Sequence, residues 1–210
     1  MEITTFFISL GIFMAAVIVH EVAHGYIAFL HGDFTAFDEG RLTINPLVHL
    51  DLVGSIILPL TLILIGAPVI LGWAKPVPVN INNLRHPKRD IIYVALAGPL
   101  VNILMAIIFA VFLRLNIFDW HSFLGNLCFN GLIINLILAV FNMIPIPPLD
   151  GSKIISGLFS WKYMFRYSKL EPYGIILLFI LLYFGLLTKV IWPLVVRLSS
   201  ILVGGEIIGK

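Results

Sequence analysis

Hydrophobic positions dominate this chain in long runs separated by short polar stretches, and the lengths of those runs decide the first structural question. A helix advances about 1.5 Å per residue, so about 20 apolar residues cross a hydrocarbon core of about 30 Å. The run at 3–30 is interrupted only by His20, Glu21 and His24. The run at 52–71 holds Pro59, Gly66 and Pro68, which predicts a kinked, tilted or re-entrant segment. Two cleaner helices are expected at 91–113 and 124–144. A shorter one is expected at 173–187, and the run at 190–203, which contains Arg197, predicts a sixth span or an interfacial helix. The expected fold is an all-α polytopic membrane protein with four to six transmembrane helices.

Between the first and third segments the pattern changes. Residues 40–45 alternate well enough for a strand, and 73–80, with Pro76 and Pro78, has the character of an extended edge segment. Together they predict a small β element at the membrane surface. No repeat, low-complexity stretch or soluble module interrupts the pattern. The expectation is a single integral membrane domain over 1–210, with a catalytic core at about 3–153 and C-terminal membrane segments at about 172–203.

Composition agrees. The chain is 60% hydrophobic and only 11% charged, with mean hydropathy +1.06, leaving too few polar groups to cover a water-soluble globule of 210 residues. This excludes a disordered chain, a disulfide scaffold and a nucleic-acid binder. The formal net charge of +2 says little about partners, and the lone Cys128 lies in an apolar run as a small membrane-embedded hydrophobe. The N-terminal residues lack a basic region and lead directly into the polar trio, so they are expected to form a retained helix and not a cleaved signal.

Orientation follows from lysine and arginine, which favour the cytoplasmic side. Arg85, Lys88 and Arg89 precede the third segment, and Lys153, Lys162, Arg166 and Lys169 follow the fourth. Two clean spans separate the clusters, so both fit the cytoplasmic side. Bringing the end of the first helix to that side requires 52–71 to re-enter and not to cross.

Ionisable side chains at membrane depth are costly and mark function. His20, Glu21 and His24 form H-E-x-x-H on a segment that must be helical in lipid. Positions i and i+4 share a helix face, so both imidazoles converge on one ion while Glu21, turned about 100° away, reaches water bound there. In a solvated helix this motif has a chance competitor. Within an apolar run, only a metal or a buried network offsets the desolvation of all three groups.

Catalytic zinc takes three protein ligands and keeps a position for water. His31, His49, His86 and His121 lie in linkers or at segment ends, where ordinary surface histidines are expected. Asp150 follows Pro145, Pro147 and Pro148 and precedes Gly151, where prolines break the helix and free the chain to turn. Two readings of it stand level: a zinc ligand, or a cap for a helix starting at Ser152.

At this point the chain resembles a known family. His20-Glu21-Val22-Ala23-His24 in an early helix, with Pro148-Leu149-Asp150-Gly151 after a later one, is similar to the site-2 protease family of intramembrane zinc metalloproteases. Gly98-Pro99-Leu100-Val101-Asn102, Asn142 ahead of Pro145, and the stretch 72–79 extend the likeness over most of 12–153, particularly to small members without PDZ or CBS modules. The resemblance implies one zinc ion per chain held by His20, His24 and Asp150, with Glu21 as catalytic acid/base. It also implies a multi-pass protein of the cell membrane, with its active site inside the bilayer toward the cytoplasm. The implied substrates are transmembrane segments of other proteins, reached through the lipid bilayer, with no nucleic-acid partner.

Asn142 resembles the family asparagine that helps hold the substrate backbone, and Asn102 is taken with it as a substrate-binding candidate. Against both stands the commoner role of asparagine in lipid, which is to hydrogen-bond a neighbouring helix; Asn135, seven residues before Asn142, shares its face. Substrate is expected to unwind and add as a strand to the edges at 41–45 and 76–80. The alternative function is a non-proteolytic metal-binding membrane protein or metal-ion transporter. A transporter would spread its ionisable groups along a path through several helices, whereas here they cluster at one depth.

Overall fold

The structure is a computed structural model that describes residues 3–66, 74–159, 167 and 169–205, with the side chains of 3–7, 56 and 171 excepted. The expected features at 67–73, Lys162 and Arg166 lie outside the described residues. Helix α1 (Ile3–Leu30) is followed by the short α2 (Thr35–Asp38), α3 (Leu58–Leu64), α4 (Pro87–Arg114) and α5 (Phe123–Asn142). Then come α6 (Asp150–Leu158), α7 (Glu171–Tyr183) and α8 (Trp192–Val203). Single turns at Pro46–His49 and Ile81–Asn83, and wider π turns at Leu52–Ile57 and Leu187–Ile191, complete the described elements.

Among the described residues, three helices are long and apolar enough to cross a membrane: α1, from Ile8, then α4 and α5. A fourth span results if α7 and α8, bent by 67° across Tyr183–Leu187, form one broken crossing. The structure therefore supports three spans, or four with the bent pair, where the sequence predicts four to six. The segment Leu52–Leu64 is apolar but short, because Gly66, with φ +66°, ends its helix.

Local signals account for the helix ends. Gly32 adopts φ +102° just past α1, a left-handed position that favours glycine. Pro87 opens α4 where its missing N–H costs nothing. Ser122 caps α5, its hydroxyl accepting from the Gly125 N–H at 3.1 Å.

Helix α4 is central, packing against α1, α5, α6 and α8. The close approach is built from small residues: Ala95, Ala106 and Ala110 of α4 are buried, and Gly131 of α5 admits the Phe109 ring. Leu113, Leu132, Leu136, Ile191 and Val195 fill the core between α4, α5 and α8, with Cys128 buried among them as expected. Outward faces show the opposite pattern from a soluble protein. Leu100, Leu104, Ile108 and Val111 of α4, and Ile175, Ile176 and Phe179 of α7, are exposed. Lipid, not water, is the solvent such a surface suits.

The predicted β element does not form among the described residues. Residues 41–45 are irregular, with Asn45 capping the following turn by accepting from the Leu47 N–H at 3.1 Å. Residues 74–80 form neither helix nor strand, and their backbone groups bond to loops and side chains. Lys75 N–H donates to His49 O at 2.8 Å, Pro76 O accepts from Arg41 Nη2 at 3.1 Å, and Asn80 N–H donates to Asp33 Oδ2 at 2.7 Å. The physical reason is proline: residues 76 and 78 remove alternate donors, so a regular ladder lacks half its bonds on that edge.

Candidate metal centre

The H-E-x-x-H segment lies in the second half of α1, and both imidazoles face α4 and are buried. His24 Nδ1 lies 2.6 Å from the carbonyl oxygen of Val94 in α4, and His20 Nδ1 lies 2.5 Å from Asn102 Oδ1 one helical stretch further on. A carbonyl only accepts, so His24 carries its proton on Nδ1 and turns the lone pair of Nε2 inward. With Asn102 presenting oxygen, His20 does the same.

The third group arrives from far along the chain. The stretch Pro145–Pro148 breaks the path after α5, and Asp150 is the first residue of α6. Leu149 occupies the cap position, and Ser152 Oγ donates to Leu149 O at 2.7 Å, so the alternative of Asp150 as a cap for a helix at Ser152 is not what forms. Gly151 explains the tightness of the turn. A Cβ there would lie 2.3 Å from the Met143 carbonyl oxygen, so only glycine lets α6 fold back onto the end of α5. Helix α7 leans on the same turn: a Cβ on Gly174 would fall 1.8 Å from the Pro147 carbonyl oxygen.

Asp150 Oδ2 lies 3.0 Å from His20 Nε2 and 3.0 Å from His24 Nε2, and the two nitrogens are 3.0 Å apart. Lys153 Nζ donates to the other carboxylate oxygen at 3.1 Å, which leaves Oδ2 directed at the histidines. Three electron-rich atoms thus face one another, with both ring protons committed elsewhere. A bound metal cation would satisfy all three at once. The spacing is within a few tenths of an ångström of the edge of a tetrahedral zinc shell, about 3.3 Å for bonds of about 2.0 Å, and two imidazoles with a carboxylate are a donor set zinc accepts. The residues fit the metal.

Gly98 is the feature that lets α4 come this close. A Cβ at that position would lie 2.5 Å from His20 Cε1, His20 Nε2 and His24 Nε2. In the sequence Gly98 stands within the family likeness and as a small residue near a proline, without a stated contact to the histidines.

Glu21 points along a different direction and accepts from the Val77 N–H at 2.9 Å through Oε2. The segment 74–80 therefore runs beside the carboxylate next to the metal ligands. Arg41 clamps that segment to the preceding loop, donating to the Val48 and Pro76 carbonyl oxygens.

The asparagines divide. Asn102 is fully enclosed and spends its carboxamide on His20, on the Ala16 carbonyl oxygen at 3.4 Å and on Asn135 Oδ1 at 2.9 Å. Nothing of it faces outward in this arrangement, and its bonds run to neighbouring helices, the commoner of the two roles weighed for it. Asn142 is half-buried, with Nδ2 donating to Leu138 O at 3.0 Å. Among the other histidines, His86 and His121 are exposed as expected. His31 is half-buried, 3.5 Å from the fully buried Asp90, and ties the end of α1 to the start of α4. His49 departs from expectation: it is fully buried, with Nε2 2.7 Å from the Thr43 carbonyl oxygen.

Comparison with known proteins decides the family. The sequence profile described as peptidase family M50 matches residues 116–185, the stretch containing Asp150. YwhC of Bacillus subtilis is 35% identical over 183 residues, covering 84% of this chain and 80% of that protein. The chain belongs to peptidase family M50, the site-2 protease family. Protein MJ0611 of Methanocaldococcus jannaschii is 34% identical over 157 residues, covering 73% of this chain and 72% of its own length. Rip2 of Mycolicibacterium smegmatis is 30% identical over 134 residues, or 63% of this chain and 50% of that protein. All three carry names that class them as candidate zinc metalloproteases. No solved structure matches the chain. This M50 chain is thus a membrane zinc metalloprotease, and the transporter alternative loses its ground.

Proposed function

We propose that the protein cleaves peptide bonds within or near membrane-spanning segments of other membrane proteins. One zinc ion per chain is held by His20, His24 and Asp150, and Glu21 is the acid/base. The observation that carries this reading is the convergence of three ligand atoms, two on a helix apolar enough to cross a bilayer and the third at the start of a helix far along the chain.

Bound there, zinc would supply a Lewis acid that polarises the scissile carbonyl and makes water acidic enough to attack near neutral pH. Glu21, next to the ligands in sequence, would take a proton from the attacking water and hand it to the leaving amide nitrogen. Asp150 and the two imidazoles are kept in place by Lys153, Asn102 and Val94, so they need little rearrangement. An intact transmembrane helix hides its amides in its own hydrogen bonds and must unwind before it is cut. The segment 74–80, which touches Glu21 at Val77, supports docking of an unwound stretch alongside it. Asn142, near the end of α5, is the remaining candidate to hold that stretch.

A site facing the cytoplasm of a multi-pass cell-membrane protein is supported by charge. Arg85, Lys88 and Arg89 precede or open α4, and Lys153 lies in α6, all at the end of the bundle where the ligands sit. The test is reconstitution with a single-span substrate in liposomes, comparing the native chain with Glu21→Gln. Cleavage should fall by about 10²- to 10⁴-fold while stoichiometric zinc is retained. Native-rate cleavage by Glu21→Gln, or a purified native chain without zinc, would overturn the reading.

A further inference from the structure

We propose that Asn135 is a positioning residue for the metal site: acting through Asn102, it fixes which ring nitrogen of His20 carries the proton. The proposal rests on His20 being a metal ligand, as argued above.

A carboxamide has two faces. Rotated by half a turn, Asn102 exchanges its acceptor oxygen for its donor nitrogen with no change in shape. In the observed orientation Oδ1 receives the Nδ1 proton of His20 at 2.5 Å, and the Nε2 lone pair is free to face Asp150 and His24. In the reversed orientation an N–H would face Nδ1. The ring proton would then move to Nε2, where a lone pair is needed. His24 has no such ambiguity, because its partner is the carbonyl oxygen of Val94.

Something must hold Asn102 the right way round. Its Nδ2 has two acceptors, Ala16 O at the long distance of 3.4 Å and Asn135 Oδ1 at 2.9 Å. Asn135 is oriented in turn by a group of fixed identity, since its own Nδ2 donates to the Gly131 carbonyl oxygen at 2.8 Å. A carbonyl oxygen only accepts, so Asn135 must present Oδ1 to Asn102, and Asn102 must present Oδ1 to His20. Asn102 is 0% exposed and Asn135 1%, so bulk water cannot substitute for either. The relay runs from α5 through α4 to α1 and ends at the imidazole. General physics gives it weight: partners that orient a metal-bound histidine change metal affinity by about 10- to 100-fold when removed.

The test measures zinc affinity by chelator competition on the full-length chain in detergent, separately from activity. Asn135→Leu should weaken zinc by about tenfold or more. Asn135→Asp, neutral in this apolar setting, still donates to Gly131 O and still accepts from Asn102, and should restore the affinity. If the leucine variant does not accumulate, Asn135→Ala removes the same oxygen without bulk and takes its place. The deciding arm is Asn102→Ala, which removes the link between Asn135 and His20. In that background, removing Asn135 should no longer change zinc affinity. An equal loss in both backgrounds would reveal packing alone and overturn the proposal, as would unchanged affinity in Asn135→Leu. In the metal-free native chain above the histidine titration range, ¹⁵N spectra should place the His20 proton on Nδ1; a proton on Nε2 overturns the relay. Failure of the native chain to bind zinc at all would instead sink the metal reading beneath it.

Discussion

Gly98→Ala is the sharpest test of the metal centre, because it adds one methyl group and nothing else. Its carbon would lie 2.5 Å from three ring atoms, two on His20 and one on His24. Ordinary carbon contacts sit at about 3.5 to 4.0 Å, so about 1 Å of relief is required. Neither ring is free to yield. His20 is pinned at 2.5 Å to Asn102, and His24 at 2.6 Å to Val94, which belongs to the same helix as Gly98. Relief therefore pushes α4 away from α1 and stretches both bonds that orient the ligands. Overpacking of this kind costs about 1–3 kcal/mol of stability, and a 1 Å misplacement at a reacting centre costs on the order of 10² in rate. The expected result is zinc bound at least about tenfold more weakly and cleavage down by about 10²-fold, read by chelator competition and by liposome cleavage. Gly11→Ala is the control. A Cβ there meets nothing within 4 Å, and alanine in a helix interior gains about 0.5–1 kcal/mol over glycine. Native zinc affinity and native rate in Gly98→Ala would refute the close approach of α4 to the two imidazoles.

Zinc removal should lower the thermal midpoint. At zinc about 1,000-fold above its dissociation constant, binding contributes about 4 kcal/mol, and Asp150→Asn should melt like the chelated native protein and ignore chelator. Asp33, fully buried past the end of α1, gives a pH signature. Burial alone would raise its carboxyl, but donation from Thr35 Oγ1, the Asn80 and Thr35 N–H groups and Asn83 Nδ2 outweighs this and holds it below its ordinary 3.8. Its stabilising contribution is therefore present above 3.8 and is lost as pH falls through the lower folded value. Asp33→Ala should cost about 1–3 kcal/mol at neutral pH by orphaning those donors, with the gap to the native chain closing in acid; a pH-independent gap would contradict the assignment.

Much of the site was legible because its signals are local or categorical. The i, i+4 spacing of His20 and His24 guarantees a shared face on any helix, and their apolar setting marks them as functional. From its surroundings Asp150 was half of a choice, since ligand and cap use the same residue type near a helix start; the family resemblance favoured the ligand, and the fold brings its carboxylate to both imidazoles. Gly98 was legible as part of the family likeness, but what it packs against was not, for a related reason. A glycine beside a proline reads as a flexible or packing position, and what it admits depends on which helix lies opposite. Asn102 and Asn135 follow the commoner of their two readings, bonding neighbouring helices, while the identity of the partner, an imidazole at the candidate metal site, depends on the fold. The β element failed because alternation at 40–45 and prolines at 76 and 78 describe an extended backbone without saying what pairs with it. In the fold, Glu21, Arg41 and Asp33 take the places a neighbouring strand would have filled.

The ligands are divided between the two ends of a long stretch of chain: Asp150 stands 130 residues after His20 and 126 after His24. During synthesis, the first helix enters the membrane long before its distant carboxylate exists. On the proposed reading, a ribosome-bound or prematurely terminated chain carries two histidines but no complete site, so it would not cut the newly inserted proteins around it. The chemistry would switch on only after position 150 has emerged and folded back, a safety catch built into the order of synthesis.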